Sequence, residues 1–90
     1  MNEAILIAMQ RGRVAKRRSG QVLRDLRLRR GMRQVDVAQV LGVTQGFISE
    51  MEREGIGKVE NLFAVAAAFS VDPAEIIAGA TAGNEQQLII

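Results

Sequence analysis

The chain contains no cysteine and no histidine. Without cysteine there can be no disulfide, no redox switch and no thiolate metal site, which suits a reducing cytoplasm. Without histidine, the usual metal ligands and the commonest general base are missing too. No metal and no other cofactor is therefore expected. Long apolar runs are also lacking. The stretch from Ala4 to Met9 is apolar but short, with no basic segment before it. It can neither span a bilayer nor act as a signal peptide, so no membrane partner is expected. The acids Glu50, Glu52 and Glu54 fall close together, but alternate positions on a helix do not share a face. They read as helix surface and structural pairing rather than as catalytic carboxylates, and no enzyme is expected.

What is present is a small chain with lopsided charge. Ninety residues make one domain with a core, and leave no room for a second, ligand-sensing domain. The net charge of +2 conceals a strong asymmetry. Up to Arg33 there are ten Lys and Arg against Glu3 and Asp25, a balance of +8. Beyond it, Arg53 and Lys58 stand against eight acids, a balance of −6. A basic half supplies the sequence-independent attraction that DNA binding needs. The acidic half should face away from phosphate, or towards another protein.

The spacing of apolar and turn-forming residues predicts an all-α chain. An N-terminal arm or helix covers residues 1–18, with a break at Ser19-Gly20. Residues 19–79 form the domain proper, and 80–90 a polar, glycine-containing tail that ends in Leu88-Ile89-Ile90. The first helix of the domain turns Val22, Leu23 and Leu26 inward and stops at Gly31. A second covers Gln34 to Leu41, with Arg33 at the cap position and Asp36 in the first turn, where a carboxylate offsets the helix dipole. A third begins after Thr44 and runs to about Arg53. A fourth, about Lys58 to Phe69, carries Leu62, Val65, Ala66 and Phe69 at core spacing. Asp72-Pro73-Ala74-Glu75 is the clearest start signal, for a fifth helix that fades near Gly79.

The segment from Gln34 to Glu52 carries the functional signal. Val37, Ala38 and Leu41 sit at helical spacing, and Gly42 follows where a helix should stop, since glycine accepts the left-handed backbone of a helix end. Thr44 can then cap a helix whose inner face holds Ile48 and Met51. Two short helices joined by such a turn make a helix-turn-helix, whose second helix can enter the DNA major groove. From about Gln21 to Ile77 the chain resembles the lambda Cro/phage-repressor family, the XRE-like domains of phage, plasmid and bacterial regulators. The resemblance rests on Leu23 to Met32 as a first helix with an Arg-Gly-apolar exit, on Gln34 opening the second helix, and on Leu41-Gly42-Val43-Thr44 as the turn. It continues through Ile48 to Arg53, Val65 to Val71 and Glu75-Ile76-Ile77. It implies a five-helix repressor-type domain, here with an extra basic N-terminal arm or helix.

The resemblance also implies site residues. Gln45 stands where the family commonly reads a base, and a Gln amide can pair bidentately with adenine. Ser49 and Glu50 share its outer face. Ser49 can reach a base or a phosphate, and Glu50 can accept from a cytosine amino group but repels phosphate. Gly46 would let the helix start approach DNA closely, or is simply a gap beside Phe47. Phe47 can touch a thymine methyl or pack under the turn. Gln34 resembles a residue that binds phosphate and buttresses the recognition helix, and its helix N-terminus favours phosphate physically as well. Thr44, Arg33, Arg53 and Lys58 are further phosphate candidates. In several family members, positions matching Arg27 and Glu52 form a partly buried ion pair, implying a structural role.

Ahead of the family domain lies the basic cluster Arg11, Arg13, Lys16, Arg17 and Arg18. Charge runs are usually solvated faces, but beside a helix-turn-helix an arm that follows the DNA backbone or enters the minor groove gains weight. Arg13, Lys16, Arg17 and Arg18 are the phosphate candidates there, because the loop Glu54-Gly55-Ile56-Gly57 is poor in the cations the family often has. Domains of this type usually bind double-stranded DNA as homodimers. Dimer candidates are Ile76 and Ile77 in the fifth helix, the arm residues Ile5, Leu6 and Met9, and the terminal Leu88-Ile89-Ile90. The leading expectation is a cytoplasmic, phage- or plasmid-type repressor acting on a pseudopalindromic operator, with that of its own operon among the candidates. The alternatives are the antitoxin of a toxin–antitoxin pair, whose partner is a toxin, and a protein-interaction module that has lost DNA binding.

Overall fold

A computed structural model describes residues 2–88, with side chains described as far as Thr81. It contains the helices α1 (Glu3–Arg29), α2 (Gln34–Leu41), α3 (Gln45–Glu54), α4 (Val59–Phe69) and α5 (Pro73–Leu88), and no strand among the described residues. Asn2 starts α1 by accepting from the N–H groups of Ala4 at 2.7 Å and Ile5 at 3.3 Å. The N-terminal segment is thus a capped helix rather than a loose arm.

The break expected at Ser19-Gly20 does not occur, and α1 runs through it as a single 27-residue helix. Serine and glycine ordinarily weaken a helix interior, but here both serve tertiary contacts, Ser19 with the α3–α4 loop and Gly20 with the end of α3. The Ser19 hydroxyl donates to the Lys16 carbonyl within its own helix and accepts from the buried Ile56 N–H at 2.9 Å. Gly20 lies against the backbone of the last turns of α3. A Cβ there would overlap the Met51 carbonyl oxygen and lie 2.7 Å from that of Glu52. Close tertiary approach outweighs local propensity, and the expected arm and first helix become one element.

Gly31, at φ 64°, ends α1, with the Met32 N–H returning to the Arg27 carbonyl at 3.1 Å. Arginine at the cap of α2 has no side-chain acceptor, so Asp36 does the work instead. Its carboxylate accepts from the Arg33 N–H at 2.7 Å and pairs with the Arg33 guanidinium at 2.9 Å. Those bonds, the guanidinium's first, hold the Asp36 carboxyl below its ordinary value of 3.8. A lowered folded-state pKa means stability that is present above the ordinary carboxylate range and lost as pH falls through the folded value. Asp36→Asn should therefore be less stable than wild type at neutral pH. The gap should close below about pH 3.8, as thermal unfolding over a pH series would show.

Helix α5 continues well past Gly79, where the sequence led us to expect it to fade. It lies antiparallel to α1: Glu75 borders the same groove as Arg29, whereas Thr81 borders one with Ala15. Small residues permit this approach. A Cβ on Gly79 would lie 3.0 Å from a Val22 methyl, and Ala80 is buried. The gain in packing along α1 extends the helix beyond what its glycines favour. Leu23, Val37, Ile48, Val65, Phe69 and Ile76 fill the core. Arg30 closes the C-terminal end of α4, donating to the Phe69 carbonyl at 2.8 Å while its guanidinium stands 5.9 Å from the centre of the Phe69 ring.

Candidate nucleic-acid interface

Gly42 takes the left-handed conformation (φ 70°, ψ 33°) that ends α2 and turns the chain towards α3. The Thr44 hydroxyl then accepts from the Phe47 N–H at 3.1 Å, capping α3. With Ile48 and Met51 buried, α3 turns Gln45, Gly46, Glu50 and Arg53 to solvent, and Ser49 is half-buried beside them. Phe47 is half-buried against the core. Gly46 has open space around it, with only the Thr44 hydroxyl 4.0 Å from where a Cβ would stand. The fold by itself does not need glycine there.

Four side chains connect the interior to the outer end of α3. Arg27 holds Glu52 through two hydrogen bonds, Nε to Oε2 at 2.7 Å and Nη2 to Oε1 at 3.0 Å, and its Nη1 donates to the Met32 carbonyl at 3.0 Å. Both side chains are largely out of solvent, 11% and 6% exposed. The hydrogen bond to Glu52 is the main reason the Arg27 guanidinium is held above its ordinary value, against the opposing effect of burial. Glu52 Oε1 also accepts from the Gln34 amide at 3.2 Å, and the Gln34 carbonyl accepts from the Gln45 amide at 3.0 Å. With its Nε2 turned to Gln34, Gln45 keeps one N–H and the carbonyl lone pairs for a ligand, a donor–acceptor pair that suits adenine.

Two clefts flank α3, and they differ in charge. One, of about 390 Å³, is lined by Arg24, Arg27, Gln34, Ser49, Glu52 and Arg53. Its three arginines outnumber the single carboxylate of Glu52 and leave the lining cationic, although Arg53 also meets Glu54 at the surface, and an amide and a hydroxyl are available as donors. The other, of about 200 Å³, places Lys16 and Lys58 together with Glu50 and Glu54. Its charges balance, so a polyanion gains more on the side of α2.

Arg24 did not stand out in the sequence. Its position one turn before Arg27 put both on neighbouring parts of α1, but only the docking of α3 brings Arg24 to the cleft. Among the other candidates, Arg33 is engaged with Asp36, and Arg53 with Glu54 at 3.3 Å, both at the surface. Lys58 is the exposed cap residue of α4. The Lys16 stem lies over the loop, its Cε 3.2 Å from where a Gly57 Cβ would be. Arg13 and Arg17 are exposed along α1, and Arg18 is half-buried. Of the dimer candidates, Ile76 is corrected: it is 1% exposed in the chain's own core, so no partner can reach it, whereas Ile77 next to it is half exposed. The side chains of Leu88-Ile89-Ile90 lie outside the described residues.

The comparisons with known proteins agree with this geometry. Residues 23–76, more than half of the chain, match a family model described as Helix-turn-helix. The solved structure of the clp gene regulator ClgR from C. glutamicum is similar, with a TM-score of 0.70 and 26% identity, covering 77% of this chain and 91% of that one. No curated protein matches. Among the described residues, no single helix is long and apolar enough to cross a membrane.

Proposed function

Since the chain belongs to the XRE-type helix-turn-helix family of DNA-binding transcription regulators, we propose that it acts as a small dimeric repressor, laying α3 in the major groove of a pseudopalindromic operator. One module presents few base contacts, so two copies on half-sites one helical turn apart supply the affinity. The observation that carries this reading is the chain Arg27–Glu52–Gln34–Gln45, which orients an exposed amide from a buried anchor. In this reading Gln45 reads an adenine, and Ser49 and Glu50 follow the groove. Gln34, Thr44, Arg24 and Arg53 hold phosphates on the cationic side, with Lys16, Lys58, Arg17 and Arg18 adding weaker, salt-screened attraction.

The test is a titration by fluorescence anisotropy against the DNA upstream of the chain's own gene, at several salt concentrations and beside a scrambled duplex. Preference for the natural duplex with a steep salt slope is the expected result. Equal, weak binding to both would sink the operator reading. Gln45→Ala should lower discrimination at the contacted A·T pair by about 1–3 kcal/mol, with melting temperature and binding to scrambled DNA unchanged. Gly46→Ala separates folding from binding. It should stabilise the free protein by about 0.5–1 kcal/mol, because alanine favours a helix where space is open. It should also weaken operator binding by setting a methyl between α3 and the bases. A variant that gains stability and keeps full affinity would show that α3 does not approach DNA through this residue.

A further inference from the structure

We propose that the N-terminal half of α1 is the homodimer interface: two copies cross antiparallel over residues 2–13, with Leu6 of each packed on the partner's Met9. The proposal rests on the dimeric reading above and gives it a surface.

The face that α1 presents to α3 and its loop is formed by Lys16, Gly20 and Arg27, at helical spacing. Continued towards the N-terminus, the same face carries Arg13, Met9 and Ile5, with Leu6 beside them. There is nothing left of α3 to cover them, and Ile5, Leu6 and Met9 are 51%, 45% and 43% exposed. A solvated segment has no reason to carry six apolar residues in a row, Ile7 at 39% exposed among them, and the side of Ile5, Leu6 and Met9 is the one in register with a packing surface. The segment also holds its direction. It is capped at Asn2 and belongs to the helix fastened by Ser19 to the α3–α4 loop and by Gly20 to the end of α3, so it projects as a rod at a set angle to the recognition helix.

Charge selects the occupant and its direction. The rod begins with its only acid, Glu3, and its cations start at Arg11. In a parallel pair Arg13 would face the partner's Arg13. In an antiparallel pair centred between Leu6 and Met9, Glu3 comes level with the partner's Arg13, at each end of the apolar seam. Flanking charges of this kind set partner and orientation in paired helices. The arrangement is also isologous, as a two-fold interface requires, each copy giving and receiving the same contacts.

Sedimentation velocity on the full chain, without DNA and over a concentration series, tests this. Wild type should dimerise. Leu6→Glu with Met9→Glu should weaken the dimer roughly tenfold or more, because it sets unpaired carboxylates in an apolar seam. Helical circular dichroism should be retained, since both positions are exposed in the single chain. Glu3→Arg alone should weaken the dimer, and Glu3→Arg with Arg13→Glu should restore it. A wild type that stays monomeric, a Leu6/Met9 variant that dimerises as well as wild type, or a charge exchange that restores nothing would overturn the assignment. Binding of the Leu6/Met9 variant to a single half-site duplex reports separately on the operator reading. A chain that dimerises through these residues yet binds no duplex would uphold the interface and remove that reading.

Discussion

Arg27→Met or Glu52→Leu, made singly, is expected to destabilise the protein by about 3–5 kcal/mol, and the double substitution by far less than the sum. The asymmetry follows from burial. Either single variant leaves one charge in a site with little water. Glu52 would keep only the Gln34 amide, and Arg27 only the Met32 carbonyl. Two apolar side chains of similar size leave no orphaned charge, and replacing a buried pair in this way is often neutral. For a domain of this size even 3 kcal/mol corresponds to a fall in Tm of roughly 12–24 °C, well within calorimetric reach. Additive losses would mean that the two side chains do not act as a pair. The effect should also extend to α3. Without Glu52 to hold its amide, Gln34 no longer fixes the orientation of Gln45, so the stable double variant should fold and yet discriminate less between duplexes. That outcome would separate the role of the pair in folding from its role in placing the outer amide.

The second large effect belongs to two glycines. Gly55→Ala is expected to cost more than Gly20→Ala, and each more than an alanine in an ordinary helix or loop. Gly55 has φ 102° and ψ 167°, a conformation essentially reserved for glycine, and a side chain there costs about 1–3 kcal/mol in backbone strain alone. A Cβ at Gly55 would in addition overlap the Lys16 carbonyl of α1. The obstacle is backbone on a long helix, which cannot turn aside as a side-chain tip can. Gly20 has ordinary helical geometry, so alanine would normally stabilise it by about 0.5–1 kcal/mol. Here the Met51 and Glu52 carbonyls occupy the space, and overpacking of this kind typically costs about 1–3 kcal/mol. The sign of the Gly20→Ala effect is thus decisive in chemical denaturation. Stabilisation would show that α1 does not lie so close to α3. Gly12→Ala, on the same helix with nothing near it, is the control and should stabilise.

These glycines mark the boundary of what could be read along the chain. The helix-turn-helix was legible because its determinants are local: Gly42 for the left-handed turn, Thr44 for the cap, and apolar residues at helical spacing on either side. The start of α5 was legible for the same reason, since Asp72 caps it through the Ala74 N–H at 2.8 Å. Between Gln34 and Arg53, spacing placed Val37, Ala38, Ile48 and Met51 on the inner face and Gln45, Ser49 and Glu50 on the outer one, whereas Phe47 stayed open.

Contacts distant in sequence decided the rest. Ser19 and Gly20 read as a break because, taken locally, they disfavour a helix. Their partners, Ile56 and the carbonyls of Met51 and Glu52, lie more than thirty residues away. Gly79 read as an end for the same reason, yet its missing side chain is what lets α5 approach Val22. Ile76 and Ile77 are indistinguishable by composition, and only the docking of α5 on α1 buries one and exposes the other. Arg24 became a cleft residue through the position of α3. Helix caps, turns and amphipathic spacing act over a few residues, so the sequence by itself determined five helices and an outward recognition face. Close approach, burial and electrostatic balance depend on which elements meet, and those only the tertiary structure decided.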